Sequence, residues 1–202
     1  MKLDANGVKL NLEYPKDIDK TKDYVLFLHG FAGCAEDWLP VIEQMPVKYN
    51  YIALDIIGHG KSDAPINPMH YNIESIAAQI KIIKDNLTPN KIFLLGYSMG
   101  GRIALSYTAM YPDDVKGLIL ESSTAGIKND AERQKRYEED LKLAEFIETH
   151  TLEEFIEMWS DQELFNTQRR FSNDKLKKLK KKKASGSKIG YANSLKGFST
   201  GI

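Results

Sequence analysis

The chain has 202 residues, 42% of them hydrophobic and 28% charged, enough for one large domain or one domain with an insertion. Its 28 Lys and Arg balance 28 Asp and Glu, so net charge gives no argument for a nucleic-acid partner. The single cysteine, Cys34, excludes an intrachain disulfide. The N-terminus lacks a signal-peptide core and no apolar run approaches the ~20 residues of a membrane span. Together these features predict a cytoplasmic protein with no nucleic-acid and no membrane partner.

In chain order, strands and helices alternate. Val8 to Tyr14 alternates apolar and polar residues and predicts an early edge strand. Tyr24 to Leu28 predicts a buried strand that ends in the glycine-rich loop His29-Gly30-Phe31-Ala32-Gly33. A short helix is expected over Asp37 to Met45, then a strand from Tyr51 to Leu54 and a loop from Gly58 to Asp63. Asn72 is placed to cap a helix whose Ile73, Ile76, Ala77, Ile80, Ile83 and Leu87 share one face. The apolar run Lys91 to Leu95 predicts the next strand. After Gly96-Tyr97-Ser98-Met99-Gly100 comes a helix with Ile103, Ala104, Tyr107 and Met110 inward, broken by Pro112. Val115 to Leu120 predicts another buried strand. Continuous apolar strands between helices imply a parallel sheet covered on both faces.

After Ser123 the strands disappear. Ala131 to Glu148 predicts a charged helix, Thr151 to Glu154 a capping box that opens a helix carrying Phe155, Met158 and Trp159, and Ser172 a further cap. Lys175 to Lys183 is dense in lysine, and Tyr191 to Phe198 predicts a last short helix. There is no internal repeat. The expected division is a core over 1–124, a helical cap over 125–195, and the start of a return to the core over 196–202.

A Gly-x-Ser-x-Gly between strand and helix is a nucleophile elbow. The tight turn needs small neighbours, and it lifts the Ser98 hydroxyl to a helix N-terminus, where backbone N–H groups favour a developing anion. Arg102 lies one helical turn after Ser98, on the same face. A buried guanidinium needs a partner. That partner is either an anionic substrate, held bidentately, or an acid such as Asp55 or a cap glutamate. His29 reads as a loop-shaping residue in preference to a catalytic base, His59 as structural and His70 as solvated. On pattern alone Trp159 reads as cap core. The lysine run reads as a solvated helix face in preference to a lipid or nucleic-acid site, and Cys34 as packed behind the glycine-rich loop.

The segments His29-Gly30-Phe31, Asp55 to Asp63 and Gly96 to Gly101 together resemble the α/β-hydrolase superfamily. Gly96 to Leu105, followed by Leu118 to Gly126, Arg133 and Trp159, is similar to the SHCHC synthase (MenH) family of menaquinone biosynthesis. The resemblance implies an α/β fold, with an α/β-hydrolase core of mostly parallel sheet, helices on both faces and an inserted helical cap. It implies an enzyme that eliminates pyruvate from an enolpyruvyl cyclohexene carboxylate, a small anionic carboxylate substrate, and no metal or organic cofactor. It carries Ser98 over as the catalytic residue and the N–H groups of Phe31 and Met99 as the oxyanion hole. Tyr97, Arg102, Arg133, Trp159 and Lys183 carry over as substrate contacts.

A serine needs a base to react. In this superfamily the acid and the histidine follow the serine, after the cap. Only His150 follows Ser98, at the end of a cap helix, where a triad role is not expected. The chain therefore reads as the front part of such an enzyme, lacking the last core strands and leaving an open sheet edge. Two rivals to the lyase follow: a serine ester or thioester hydrolase with the same elbow, and a non-catalytic remnant.

Overall fold

The computed structural model describes residues 1–14 and 17–202. Strand β1 (Lys2–Ala5) and β2 (Val8–Glu13) form an antiparallel hairpin. Its turn, Asn6-Gly7, has φ of 59° and 80°, the doubly left-handed backbone that matches hairpin twist. The strand expected at the edge is therefore the hairpin's inner member, and β1 lies outside it. Strands β3 (Tyr24–Leu28), β4 (Asn50–Leu54), β5 (Ile92–Tyr97) and β6 (Val115–Glu121) run parallel, in the order β1-β2-β4-β3-β5-β6.

Alternation along the strands divides the apolar residues between two faces. Leu26, Leu28, Ile52, Leu54, Ile92 and Leu94 pack on one side. There they meet Ile76, Ile80 and Ile83 of α2 (Ile73–Leu87) and Ile103, Ala104 and Tyr107 of α3 (Met99–Met110). Each buried leucine or isoleucine among them contributes about 2 kcal/mol by leaving water. Val25, Phe27, Ala53 and Leu95 face the other way. They cover Ala35, in a 3-10 turn over Ala35–Trp38, and Ile42 of the one-turn helix α1 (Leu39–Ile42). The single helix expected over Asp37 to Met45 is thus two short pieces, with Pro40 in the first turn of the second. Asn72 caps α2 as expected, accepting from the Ser75 N–H at 2.7 Å.

Two core expectations are corrected. Met110 is 41% exposed, because it sits in the last turn of α3, beyond the sheet's cover. Strand β6 is not buried: Ile119 is 51% and Leu120 43% exposed, on opposite faces of a strand that, among the described residues, pairs only with β5.

The helices after the sheet are α4 (Asp130–Thr149), α5 (Leu152–Ser160), α6 (Asn173–Ala184) and α7 (Lys188–Phe198), with a 3-10 segment over Glu163–Arg170. Thr151 and Glu154 form the capping box: the Glu154 N–H donates to Thr151 Oγ1 at 3.2 Å, and the Thr151 N–H to Glu154 Oε2 at 2.8 Å. Ala144, Ile147, Phe155, Ile156, Tyr191 and Leu195 make a second core that also takes in Ala32 of the glycine-rich loop. Helix α7 ties this layer to the sheet. A Cβ on Gly190 would overlap the Gly58 backbone, and one on Gly197 the Tyr71 carbonyl. The cap boundary expected after 195 falls inside this helix. Among the described residues no helix is long and apolar enough to cross a membrane.

Candidate active site

Ser98 joins β5 to α3 with φ 51° and ψ −114°. A left-handed φ at a non-glycine residue costs about 1–3 kcal/mol and persists only where its surroundings enforce it. Those surroundings are visible. The Ser98 N–H donates to the Glu121 carbonyl at 3.0 Å. The Ser98 carbonyl accepts from Ser123 Oγ at 2.6 Å and from the Gly101 N–H at 3.0 Å. A Cβ on Gly100 would overlap the Leu28 carbonyl, and one on Gly96 the backbone of Gly100 and Gly101. The turn can therefore press against the end of β3 only because these positions lack side chains.

The glycine-rich loop lies beside the serine: a Cβ on Gly30 would stand 3.5 Å from Ser98 Cβ. Among the described residues neither the Phe31 N–H nor the Met99 N–H has a hydrogen-bond partner. Met99 opens α3, so its N–H belongs to the positive end of the helix. Unpartnered backbone donors near a serine are the kind of group from which oxyanion sites are made.

The histidines are committed elsewhere. His29 is buried, its Nδ1–H donating to the Gly30 carbonyl at 2.8 Å while Nε2 accepts from the Ile56 N–H at 3.1 Å. Burial lowers its pKa, against smaller opposing contributions from the Gly30 bond and Asp55. It shapes the loop. The His59 Nδ1–H donates to the Ile57 carbonyl at 3.0 Å. Its ring is enclosed by those of His29, Phe31 and Tyr191, and burial together with His29 pushes it down to about 3. His70 lies half-buried in a 3-10 turn over Pro68–Tyr71. His150 is exposed at the end of α4 and stacks on Phe146 at 3.9 Å. None of these bonds reaches Ser98. Among the described residues no group of three or more His, Cys, Asp or Glu could hold a metal ion.

A cavity of about 710 Å³ opens between the strand ends and the cap. Phe31 and Tyr97 line it from the core, and Phe165, Phe171, Lys175 and Lys183 from the cap. Tyr97 is 38% exposed and carries the cavity to the elbow. Burial lowers the pKa of Lys183. Its Nζ lies 4.8 Å above the Phe165 ring, and among the described residues it has no acidic partner. The lysine run is thus only partly a solvated face. Lys182 Nζ bridges to Asp37 Oδ1 at 2.8 Å across the mouth, and Lys180 pairs with Glu157 of α5.

The other expected contacts lie off the cavity wall. Arg102 donates to the Phe198 carbonyl at 2.8 Å and the Ser199 carbonyl at 3.0 Å, tying the core to the end of α7. Its partner is neither Asp55 nor a cap glutamate. Asp55 instead accepts from the Ala35 N–H at 2.6 Å, Asn11 Nδ2 at 2.8 Å and the Lys61 N–H at 2.9 Å. Arg133 donates to Asp130 Oδ1 at 2.6 Å and the Ile127 carbonyl at 3.3 Å. Trp159 packs edge-on against Phe31 at 5.3 Å, with its indole N–H buried and unpartnered among the described residues. Cys34 is a buried thiol, pushed up to about 11 by burial and Asp37, which makes it inert. The sequence reading missed the braces Glu121 and Ser123 and the cavity residues Phe171 and Lys175. The braces had a signal, the polar Glu-Ser-Ser closing an apolar strand next to the elbow.

The sequence model of the alpha/beta hydrolase fold family matches residues 23–196. A relative from Bacillus subtilis (strain 168), provisionally named a 2-succinyl-6-hydroxy-2,4-cyclohexadiene-1-carboxylate synthase, is 40% identical over 177 residues, covering 88% of this chain and 64% of its own. An Enterobacter sp. (strain 638) protein named as the same synthase is 32% identical over 157 residues, covering 78% of this chain and 59% of its own. The solved structure of MenH from S. aureus aligns with a TM-score of 0.86 at 28% identity, over 95% of this chain and 71% of that one. This chain therefore spans about two thirds of the length of the proteins it matches. With its strand order, its elbow and these matches, the chain belongs to the α/β hydrolase fold family, and within that family its similarity runs to the 2-succinyl-6-hydroxy-2,4-cyclohexadiene-1-carboxylate synthases.

Proposed function

We propose that the protein is a lyase of menaquinone biosynthesis. It eliminates pyruvate from 2-succinyl-5-enolpyruvyl-6-hydroxy-3-cyclohexene-1-carboxylate to leave 2-succinyl-6-hydroxy-2,4-cyclohexadiene-1-carboxylate. The observation that carries this reading is the strained Ser98 beside the glycine-rich loop, with the Phe31 and Met99 N–H groups unpartnered, next to a cavity lined in part by lysines.

In this mechanism Ser98, activated by a general base, removes a ring proton. The electron pair left behind moves through the ring and expels the enolpyruvyl oxygen, and the departing enol takes up a proton at carbon to become pyruvate. The Phe31 and Met99 N–H groups hold the negative charge that develops. Lys183 takes a substrate carboxylate, Tyr97 borders the ring, and Trp159 backs Phe31. Arg102 and Arg133 reach a carboxylate only by releasing Phe198, Ser199 and Asp130. The reaction needs no metal or organic cofactor, and its site is that of a cytoplasmic enzyme.

That engagement of Arg102 favours a second reading, a serine ester or thioester hydrolase, which needs no cation beside the serine. The test is pyruvate release from freshly made substrate by the intact protein of its native source. Ser98→Ala is expected to lower it about a thousandfold. Equal rates for the two proteins exclude the lyase. Turnover of a small neutral ester through an acyl-Ser98, insensitive to Arg102→Ala, establishes the hydrolase.

A further inference from the structure

The equal totals of 28 cations and 28 anions conceal a segregation. Residues 163–183 contain Arg169, Arg170 and seven lysines against only Glu163 and Asp174. Some of these cations are occupied: Lys180 and Lys182 are ion-paired, and Lys175 and Lys183 lie over the Phe171 and Phe165 rings. The rest are not. Lys177, Lys178 and Lys181 fall at i, i+1 and i+4 of α6, on one side of the helix. They are exposed, as are Arg169 and Arg170 in the preceding 3-10 segment. Among the described residues none of the five has a carboxylate within ion-pair distance. The same stretch of chain exposes apolar side chains: Leu164 is 71% exposed, and Phe171, which borders the cavity beneath Lys175, 38%.

We propose that this face of the cap, from Leu164 to Lys181, docks on an anionic phospholipid surface. Clustered lysines and arginines are drawn to anionic headgroups, and an exposed leucine in the same basic segment suits the boundary between headgroups and acyl chains. A nucleic acid would use the cations but leave Leu164 in water. A peripheral contact of this kind needs no membrane-spanning helix.

The probe is sedimentation of the intact protein with vesicles of equal parts phosphatidylglycerol and phosphatidylcholine, beside vesicles of phosphatidylcholine alone. Binding is expected to the first and not the second, and to weaken steeply as salt is added. The triple variant Lys177→Glu/Lys178→Glu/Lys181→Glu changes only exposed, unpaired positions and should keep the thermal midpoint of the parent. Its affinity for the anionic vesicles is expected to drop by about 100-fold or more, with a smaller drop for Leu164→Ser. The proposal is overturned if no protein sediments with anionic vesicles at low salt, if the triple variant binds as well as the parent, or if the protein binds duplex RNA and no vesicle.

Discussion

The elbow, whose Tyr97 borders the cavity, and the lysine wall of the cap are built from opposite materials. The elbow is built in backbone: a left-handed Ser98, two free N–H groups and glycines packed to contact. The wall along α6 is built in long side chains held by single ion pairs or by aromatic rings. A backbone site is fixed by the whole sheet and tolerates no added atom. A side-chain site is set by a few surface contacts and can be altered one residue at a time. The comparison predicts where substitutions destroy the molecule and where they only retune it.

The largest effect is expected at Gly100. Alanine there meets the Leu28 carbonyl, and the strand end must shift. Gly100→Ala should cost about 3 kcal/mol in urea unfolding. An unchanged midpoint would mean that the elbow has room and is not enforced by packing.

The next effect concerns pH. The unfolded chain protonates His59 near its ordinary 6.5, but the folded chain does so only at about 3. The unfolded state therefore binds more protons between these values. The stability contributed is complete above pH 6.5 and falls as pH drops toward 3. By pH 5 the loss from His59 alone is about 2 kcal/mol, read as a lower urea midpoint at pH 5 than at pH 7.5. Equal midpoints would place His59 in contact with water and open the packing behind Phe31.

The smallest effect belongs to the cap. Lys182 and Asp37 are both partly exposed, so solvent screens their pair. Lys182→Ala should change stability by less than about 1 kcal/mol. A loss as large as that at Gly100 would erase the distinction between the two regions.

The elbow was legible because its signal is local. Glycines flanking a serine after an apolar run leave few alternatives, and the strand and helix fell where the pattern placed them. The Asn72 and Thr151 caps were legible for the same reason, since each is a short-range exchange of hydrogen bonds. Strand β6 was misread because Leu118-Ile119-Leu120 is apolar whether or not anything covers it, and coverage is a property of distant chain. The hairpin strand β1 went unread although Asn6-Gly7 announces its turn, because Lys2 to Ala5 is too short to show a period. Arg102 shows a different limit. Its sequence position gave its face and its need for a partner. The partner proved to be two carbonyls nearly a hundred residues away, which no local pattern contains. The cavity wall was obscured by composition: seven lysines on one helix read alike until the fold turns Lys175, Lys182 and Lys183 one way and Lys177, Lys178 and Lys181 another.

In the proposed function, chemistry belongs to the elbow and recognition of the anion to the cap. Its most direct test is the split between kcat and KM for pyruvate release by the intact protein, comparing Ser98→Ala with Lys183→Ala. The account predicts that Ser98→Ala lowers kcat about a thousandfold with little change in KM. It predicts that Lys183→Ala raises KM about tenfold with kcat nearly intact, as for the loss of one charge-assisted hydrogen bond. A Lys183→Ala variant that loses kcat as Ser98→Ala does would contradict it, because the lysine would then act on the reacting atoms.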